Sequence, residues 1–393
     1  MTFAQTSPES RFIEPLDVLF LRGNQLFGEA GSYGEALMPP WPSVAAGALR
    51  SRMLAEEGMD MAAFAVGKQP HPHLGTPEQP GSFVLQQFQM ARRHAHALEL
   101  LFPLPADLQV TQSQSQAQSR CADDALSVTT LRPTKLHPKI STSSPLPLLP
   151  VLVQSKRSKT ASGWWLRQTG WQKYLQGQPV SAQDLVHSKD LWGFDERIGI
   201  GLEADKRSAA DGKLFTARAV AFKEGVGFAV AVGGASLPAS GSLRFGGDGR
   251  AARLHHVDIT WPAADLDAVV RAGRARLVLT SPGIFPEGWR LPGMSAEGTL
   301  ELPGLTARVV AASINRAETI SGWDLASHRP KPALKAAGSG SVYWLEELQT
   351  TAEALGKLVA HGLWGEPCED ASQQRQQQRR AEGYNRLALA AWP

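Results

Sequence analysis

Apolar and polar positions in this chain fall into short runs separated by glycine and proline, and each run predicts a short element. Residues 11–22 (RFIEPLDVLFLR) form a mostly apolar stretch and predict an extended, largely buried strand. Pro15 cannot donate to a sheet ladder and places a bend or sheet edge there. A glycine-rich loop with Gly23, Gly28, Gly31 and Gly34 follows. Pro39-Pro40-Trp41-Pro42-Ser43 then stops one element and starts another. Ser43 is the predicted N-cap of a helix whose apolar face is Ala45, Ala48, Leu49 and Met53, and Gly58 is its predicted C′ residue.

From about residue 60 to 210 no regular period is visible, as a long loop-rich insertion would show. Within it, residues 109–119 are Gln- and Ser-rich and read as a solvated loop, and Lys156-Arg157-Ser158-Lys159 is a small basic cluster ahead of Trp164, Trp165 and Trp171. Alternation resumes after Lys213. Residues 214–222 and 226–232, either side of Lys223-Glu224-Gly225, predict a β-hairpin. Residues 243–257 are strand-like around Gly246-Gly247-Asp248-Gly249-Arg250. A second unit begins at about 263, with strands over 276–280, 305–312 and 341–345. A helix over 350–361 has Thr350 and Glu353 in capping-box spacing, Leu355, Leu358 and Val359 on one face, and Gly362 as its end. A last strand covers 387–392. The fold class is α+β with antiparallel sheets, organised as two βαββαβ-like units in tandem over 1–262 and 263–393, the first with an insertion at about 60–210.

Composition narrows the function. The 393 residues suit two domains, and 42% apolar content excludes wholesale disorder. Lys and Arg number 40 against 37 Asp and Glu, so a nucleic-acid site must be a local patch. Cys121 and Cys368 lie far apart and make neither a disulfide framework nor metal-ligand spacing. His71 with His73, and His94 with His96, alternate, but no cysteine or acidic cluster completes a site, so neither metal nor cofactor is expected. No signal peptide or spanning apolar run is visible, so a cytoplasmic protein with no membrane partner is expected.

Eight segments in order carry a resemblance: FIEPLDVLFLRG (12–23), PPWPSVAAGALRSRML (39–54), FDERIGIGLE (194–203), GKLFTARAVAF (212–222), LRFGGDGRAAR (243–253), LVLTSPGIFPEGW (277–289), ISGWDLASHRPKP (320–332) and GSGSVYWLE (338–346). Together they resemble the third subunit of the Cmr complex, the type III-B CRISPR effector, a tag-capping member of the RAMP superfamily. The resemblance covers most of the chain outside about 60–190. It implies two tandem ferredoxin-like (RRM-like) domains and a non-catalytic RNA-binding subunit in antiviral defence. Such a subunit grips the repeat-derived 5′ tag of the CRISPR RNA (crRNA) and docks the large polymerase/cyclase subunit beside the backbone RAMP subunits. A protruding hairpin limits how far the target RNA pairs, so target contact is indirect. The alternative is a metal-independent endoribonuclease that processes repeat RNA; it needs a histidine base, and nothing distinguishes His137, His187 or His328 in that role.

Candidate RNA contacts follow from residue chemistry beside that resemblance. Gly47 interrupts the first helix at a cost of about 1 kcal/mol relative to Ala, which close approach of another backbone would justify. Arg50 falls in the family's G-x-x-R pattern, and Arg52 points away from it on a helix. The competing reading packs Gly47 on the sheet and leaves both arginines solvated. Gly246 and Gly247 let backbone amides approach phosphate while Arg250 supplies charge, or else they form a hairpin turn. A GGDD-like signature lacks its second acidic residue here, so two-metal chemistry is not expected. Gly338, Ser339 and Gly340, following Lys331 and Lys335, make either a phosphate cradle or an ordinary loop. Trp323 and Trp344 either stack bases or sit in the core. Arg197 is either presented to RNA or the large subunit, or paired with its acidic neighbours. The Gly-x-Gly loop expected near the C-terminus reads Glu382-Gly383-Tyr384-Asn385-Arg386, where Asn385 tolerates a left-handed turn but puts a close backbone approach in doubt. The cluster at 156–159 is expected to reach along the guide–target duplex.

Overall fold

The computed structural model describes residues 8–393 except 24–32, 35, 96, 113–125, 155–158, 204, 207 and 366–370. The glycines at 28 and 31, both cysteines, His96 and most of the 156–159 cluster therefore lie outside the described residues. The chain is a mixed α/β structure with antiparallel sheets.

Strand Val226–Gly233 shows why the larger sheet forms. All eight of its positions are buried, so both faces of the sheet around it must be covered. It pairs with Glu9–Pro15 on one side and Val84–His94 on the other. Eight strands result, in the order Leu185–His187, Trp164–Arg167, Ala97–Pro103, Val84–His94, Val226–Gly233, Glu9–Pro15, Ala251–His256 and Gly241–Arg244. The first strand stops at Pro15, as its missing N–H requires. One face carries Ile13, Phe228, Val230 and Leu254 against Ala45, Leu49 and Met53 of the first helix, Pro42–Glu56.

The other face carries Phe12, Ala91, Leu100 and Ala229, and these share one apolar cluster with Val278, Val342, Trp344 and Ala390 of the second sheet. That sheet runs Thr299–Leu302, Leu305–Ser313, Val342–Thr350, Ala275–Leu279, Leu387–Ala390. Its far face holds Leu277, Leu279, Tyr343 and Leu345, strand neighbours of the inward residues at period two, under Leu355 of helix Ala352–His361. At the joint between the sheets, Arg276 Nη1 donates to Asp107 Oδ2 at 2.9 Å, Tyr174 Oη donates to Asp107 Oδ1 at 2.8 Å, and the guanidinium lies 4.1 Å from the Tyr174 ring centroid.

Several expectations are corrected. The supposed insertion supplies Val84–His94 and Ala97–Pro103 to the middle of the first sheet; alternation fails there because strands covered on both faces do not alternate. Part of the predicted loop at 109–119 is strand Leu108–Gln112, with Val110 and Thr111 buried, and the rest lies outside the described residues. Residues 214–222 and 226–232 do not pair with each other. The first lies in Ala209–Phe222, which pairs with Trp192–Leu202 in a separate long hairpin, while the second joins the eight-stranded sheet. Trp41, not Ser43, precedes the first helix, because Pro42 takes the N1 position that its fixed φ favours. The later helix is capped by Thr351, one residue past the predicted Thr350, whose hydroxyl accepts from the Ala354 N–H at 3.2 Å. Among the described residues, four helices were not placed by the pattern: Met61–Ala65, Gln168–Leu175, Leu266–Ala272, capped by Asp265, and the Gln- and Arg-rich Ala371–Ala381.

Candidate nucleic-acid interface

The first helix and the turn after helix Ala371–Ala381 meet around one buried carboxylate. Glu382 is 3% exposed. It pairs with Lys331 and accepts from Arg379 Nη1 at 3.1 Å. Arg50 faces it from the first helix, with Cζ 5.1 Å from the Phe83 ring centroid and a buried Nε that has no partner. Burial alone would push the Glu382 carboxyl up, but Lys331, Arg379 and Arg50 overcome this and hold it below the usual carboxylate range. Burial also lowers the Arg50 pKa, and Glu382 opposes it. Two cations thus pair directly with one anion, and Arg50 adds positive charge that acts on it, an excess that suits a phosphate.

Local sequence builds this arrangement. Gly383, at φ 91°, lets the turn lie on the backbone of Leu85, where a Cβ would meet the Leu85 carbonyl oxygen at 3.0 Å. Tyr384 Oη and Ser43 Oγ share a hydrogen bond of 3.0 Å, which ties the turn to the first helix. Asn385 does adopt the left-handed conformation, at φ 58°. Its Oδ1 accepts from the Ile284 N–H at 2.6 Å and its Nδ2 donates to the Leu363 carbonyl at 3.0 Å. Gly47 is exposed, with nothing within 4 Å of an added Cβ, so it neither packs on the sheet nor meets another backbone of this chain. Arg52 turns away from Arg50 and pairs with Glu56.

Lys331 therefore joins Arg50, and Arg379 and Glu382 complete a group that single-residue reading missed. Their signal was the switch from a glutamine run to Arg-Arg-Ala-Glu-Gly before a strand. Gly338 sits against a different carboxylate: a Cβ there would meet Glu318 Oε1 at 2.9 Å. The cradle reading of 338–340 is corrected, however. The Gly340 N–H donates to Leu279 O at 2.7 Å, the Ser341 N–H donates to Gly338 O at 3.2 Å, and the carbonyls of Ser339 and Gly340 accept from Asn315 Nδ2 and the Ala106 N–H. Buried backbone groups have to be paired, and these pair with the second sheet's own strand and loop and, through Ala106, with the segment after Ala97–Pro103. Trp344 is 1% exposed and belongs to the core, whereas Trp323 is exposed.

Gly246, Gly247 and Arg250 form a second group, a hairpin turn between Gly241–Arg244 and Ala251–His256. The Gly247 N–H already donates to Phe20 O at 2.8 Å. Arg250 pairs with Asp17 at 2.6 Å and Arg22 with Asp248 at 3.2 Å, with both guanidinium groups set against the Phe20 ring. Arg197 is placed apart on the long hairpin and pairs with Asp195 at 2.8 Å. That hairpin also exposes Ile198, Ile200, Leu202 and Leu214; Ile200 and Leu214 are cross-strand partners. Among the described residues no group of His, Cys, Asp and Glu could hold a metal ion, and no helix is long and apolar enough to cross a membrane.

Comparison with known proteins places these features. A family model described as CRISPR-associated protein (Cas_Cmr3) matches residues 11–392. One similar solved chain comes from a structure described as the type III-B Cmr-beta bound to cognate target RNA and AMPPnP, state 1. It is 15% identical, covers 97% of this chain and 98% of its own, and gives a TM-score of 0.50. Another comes from the type III-B Cmr-beta bound to cognate target RNA, at 15% identity, 96% coverage of each chain and a TM-score of 0.49. No curated protein matches the sequence.

Proposed function

Because the chain belongs to the Cas_Cmr3 family of CRISPR-associated proteins, we propose that it is a non-catalytic RNA-binding subunit of a type III-B effector complex that caps the 5′ tag of the crRNA. The observation that carries this reading is the cluster of Arg50, Lys331 and Arg379 about the buried carboxylate of Glu382. A tag phosphate entering there meets charge-assisted donors in surroundings poor in water. Gly47, one turn before Arg50 on an open helix face, lets the RNA backbone come close. Sheet-face stacking of bases is not the mode, because the inward faces of the two sheets cover each other. The fold read at the coarser level as two antiparallel sheets is consistent with two ferredoxin-like halves joined through those faces.

The long hairpin supplies the stop to target pairing. Ile198, Ile200, Leu202 and Leu214 put exposed aliphatic surface on a two-stranded lever. Such surface can part a base step, as apolar wedges do. Docking of the large polymerase/cyclase subunit and of backbone subunits belongs to the same proposal.

Photocrosslinking of a 5′ tag label in the assembled complex tests it. Crosslinks to peptides containing Arg50 or residues 379–386 are expected. No crosslink to this chain would make it a structural adaptor instead. Incubation of the chain with repeat RNA in the absence of metal tests the endoribonuclease alternative: specific cleavage abolished by one histidine substitution would overturn the binding-only reading.

A further inference from the structure

Charge in this chain is segregated. Residues 125–183 hold eight Lys and Arg and no Asp or Glu. Taking those eight from the 40 in the chain leaves 32 to face all 37 acidic residues. The near-neutral total thus conceals one wholly basic stretch in a protein whose remainder is acidic.

The structure presents part of this stretch as an arm. It leaves strand Leu126–Thr130, where the Leu131 N–H donates to the Asp107 carbonyl at 2.7 Å, and it continues through the paired strands Arg132–Thr134 and Leu149–Val151. Leu146 is 6% exposed and lies in the apolar cluster of the second sheet. The Leu148 N–H donates to Val310 O at 3.0 Å. The arm is therefore fastened at its base and at its return. Between those points Arg132, Lys135 and Lys139 are exposed. Lys159 is exposed on Lys159–Thr160, across the small sheet from Leu126–Thr130. None of the four makes an ion pair among the described residues. Pro133, Pro138, Pro145, Pro147 and Pro150 restrict the backbone, and the Lys139 N–H donates to His137 Nδ1 at 3.3 Å, so little ordering remains to be done on binding.

We propose that Arg132, Lys135, Lys139 and Lys159 form a second RNA contact that reads the phosphate backbone by charge and takes no part in tag capping. It rests on the reading of this chain as a subunit of an RNA-guided complex. Two observations favour a nucleic-acid backbone over its bases or a protein surface. No Phe, Tyr or Trp occurs between Phe102 and Trp164, so the arm lacks the large aromatic platforms that hold bases and reads chiefly backbone charge. Protein interfaces are rich in aromatic residues and poor in lysine, the reverse of this composition.

The test uses the assembled complex with its guide RNA. Target RNA affinity is measured over a salt series for the parent and for the variant Arg132→Gln, Lys135→Gln, Lys139→Gln, Lys159→Gln. These side chains are exposed, so the fold is retained. Each lost phosphate contact removes roughly 0.7–0.9 units from the slope of log affinity against log salt, so a loss of about 2–4 units is expected. An unchanged slope in an assembled variant overturns the proposal. A variant that no longer assembles but keeps the RNA affinity of the isolated chain also overturns it, and makes the arm a protein contact. The tag crosslink is read on the same samples. Its absence in the parent complex would sink the tag-capping reading, whereas its presence with an unchanged slope would sink the arm alone.

Discussion

Substituting Arg50 by Gln removes one positive charge from the pocket without emptying the space above Phe83. Glu382 keeps Lys331 and Arg379, so no carboxylate is left buried alone. The fold should lose the cation–π contact at 5.1 Å, roughly 0.5–1 kcal/mol, together with Arg50's share of the charge that holds Glu382 ionised. Tag binding should lose much more. A hydrogen bond to a charged group contributes about 1.5–3 kcal/mol, which corresponds to roughly a 10- to 150-fold weaker Kd. One single-strand phosphate contact should also leave the salt slope, a drop of about 0.7 units. Arg52→Gln is the internal control: it lies two residues away, pairs with Glu56 and faces elsewhere. Fluorescence anisotropy of labelled tag RNA at several salt concentrations, with thermal melts of each variant, reads both effects. Equal losses for Arg50→Gln and Arg52→Gln, or no loss for either, would refute the assignment of the pocket.

Three more outcomes follow from the geometry. Because Glu382 has a folded-state pKa below its ordinary value, its contribution is full above the ordinary carboxylate range and is lost as pH falls through the lower folded value. Glu382→Gln should therefore flatten the acid side of the stability profile and, by leaving three cations without their anion, destabilise by about 3–5 kcal/mol; an unaltered acid limb in urea titrations would contradict this. Arg276→Met should cost a similar amount, about 3–5 kcal/mol, since Asp107 is fully buried. Adding Asp107→Asn should recover part of it, and strict additivity of the two in a double-mutant cycle would show that they do not couple. Ile198→Asp with Ile200→Asp should leave the melting temperature unchanged, both side chains being exposed, while extending target protection toward the tag; an unchanged protection boundary would remove the hairpin from that role.

The legibility of this chain in its sequence follows burial. The first helix, its apolar face and Gly58 at its end were readable because one side meets the core and the other meets water. Strand Leu305–Ser313 was readable for a similar reason, because buried and exposed positions alternate over its first half. Strand Val84–His94 was not, since its two faces meet two different cores and no single alternation survives. The partner of Ala209–Phe222 was misread because a short turn to Val226 looks the same whether or not the strands it joins pair. At the interface, Arg50 and Lys331 stood out by local pattern. That they share Glu382 depends on contacts between residues far apart in the chain, 51 positions for Lys331, which no local pattern records. The turn at 338–340 was misassigned because glycines serve an open cradle and a tight buried joint equally well.

The turn holding Glu382 has one more consequence, in the order of synthesis. Residues 379–386 are made long after Leu85 and the first helix, yet they close over both. A chain that stops short can bury much of its first sheet and still lack Arg379, Glu382 and the Tyr384 tie to Ser43. Incomplete copies would carry Arg50 without the rest of its pocket. The charges around Glu382 are then assembled only after residues 379–386 have been made.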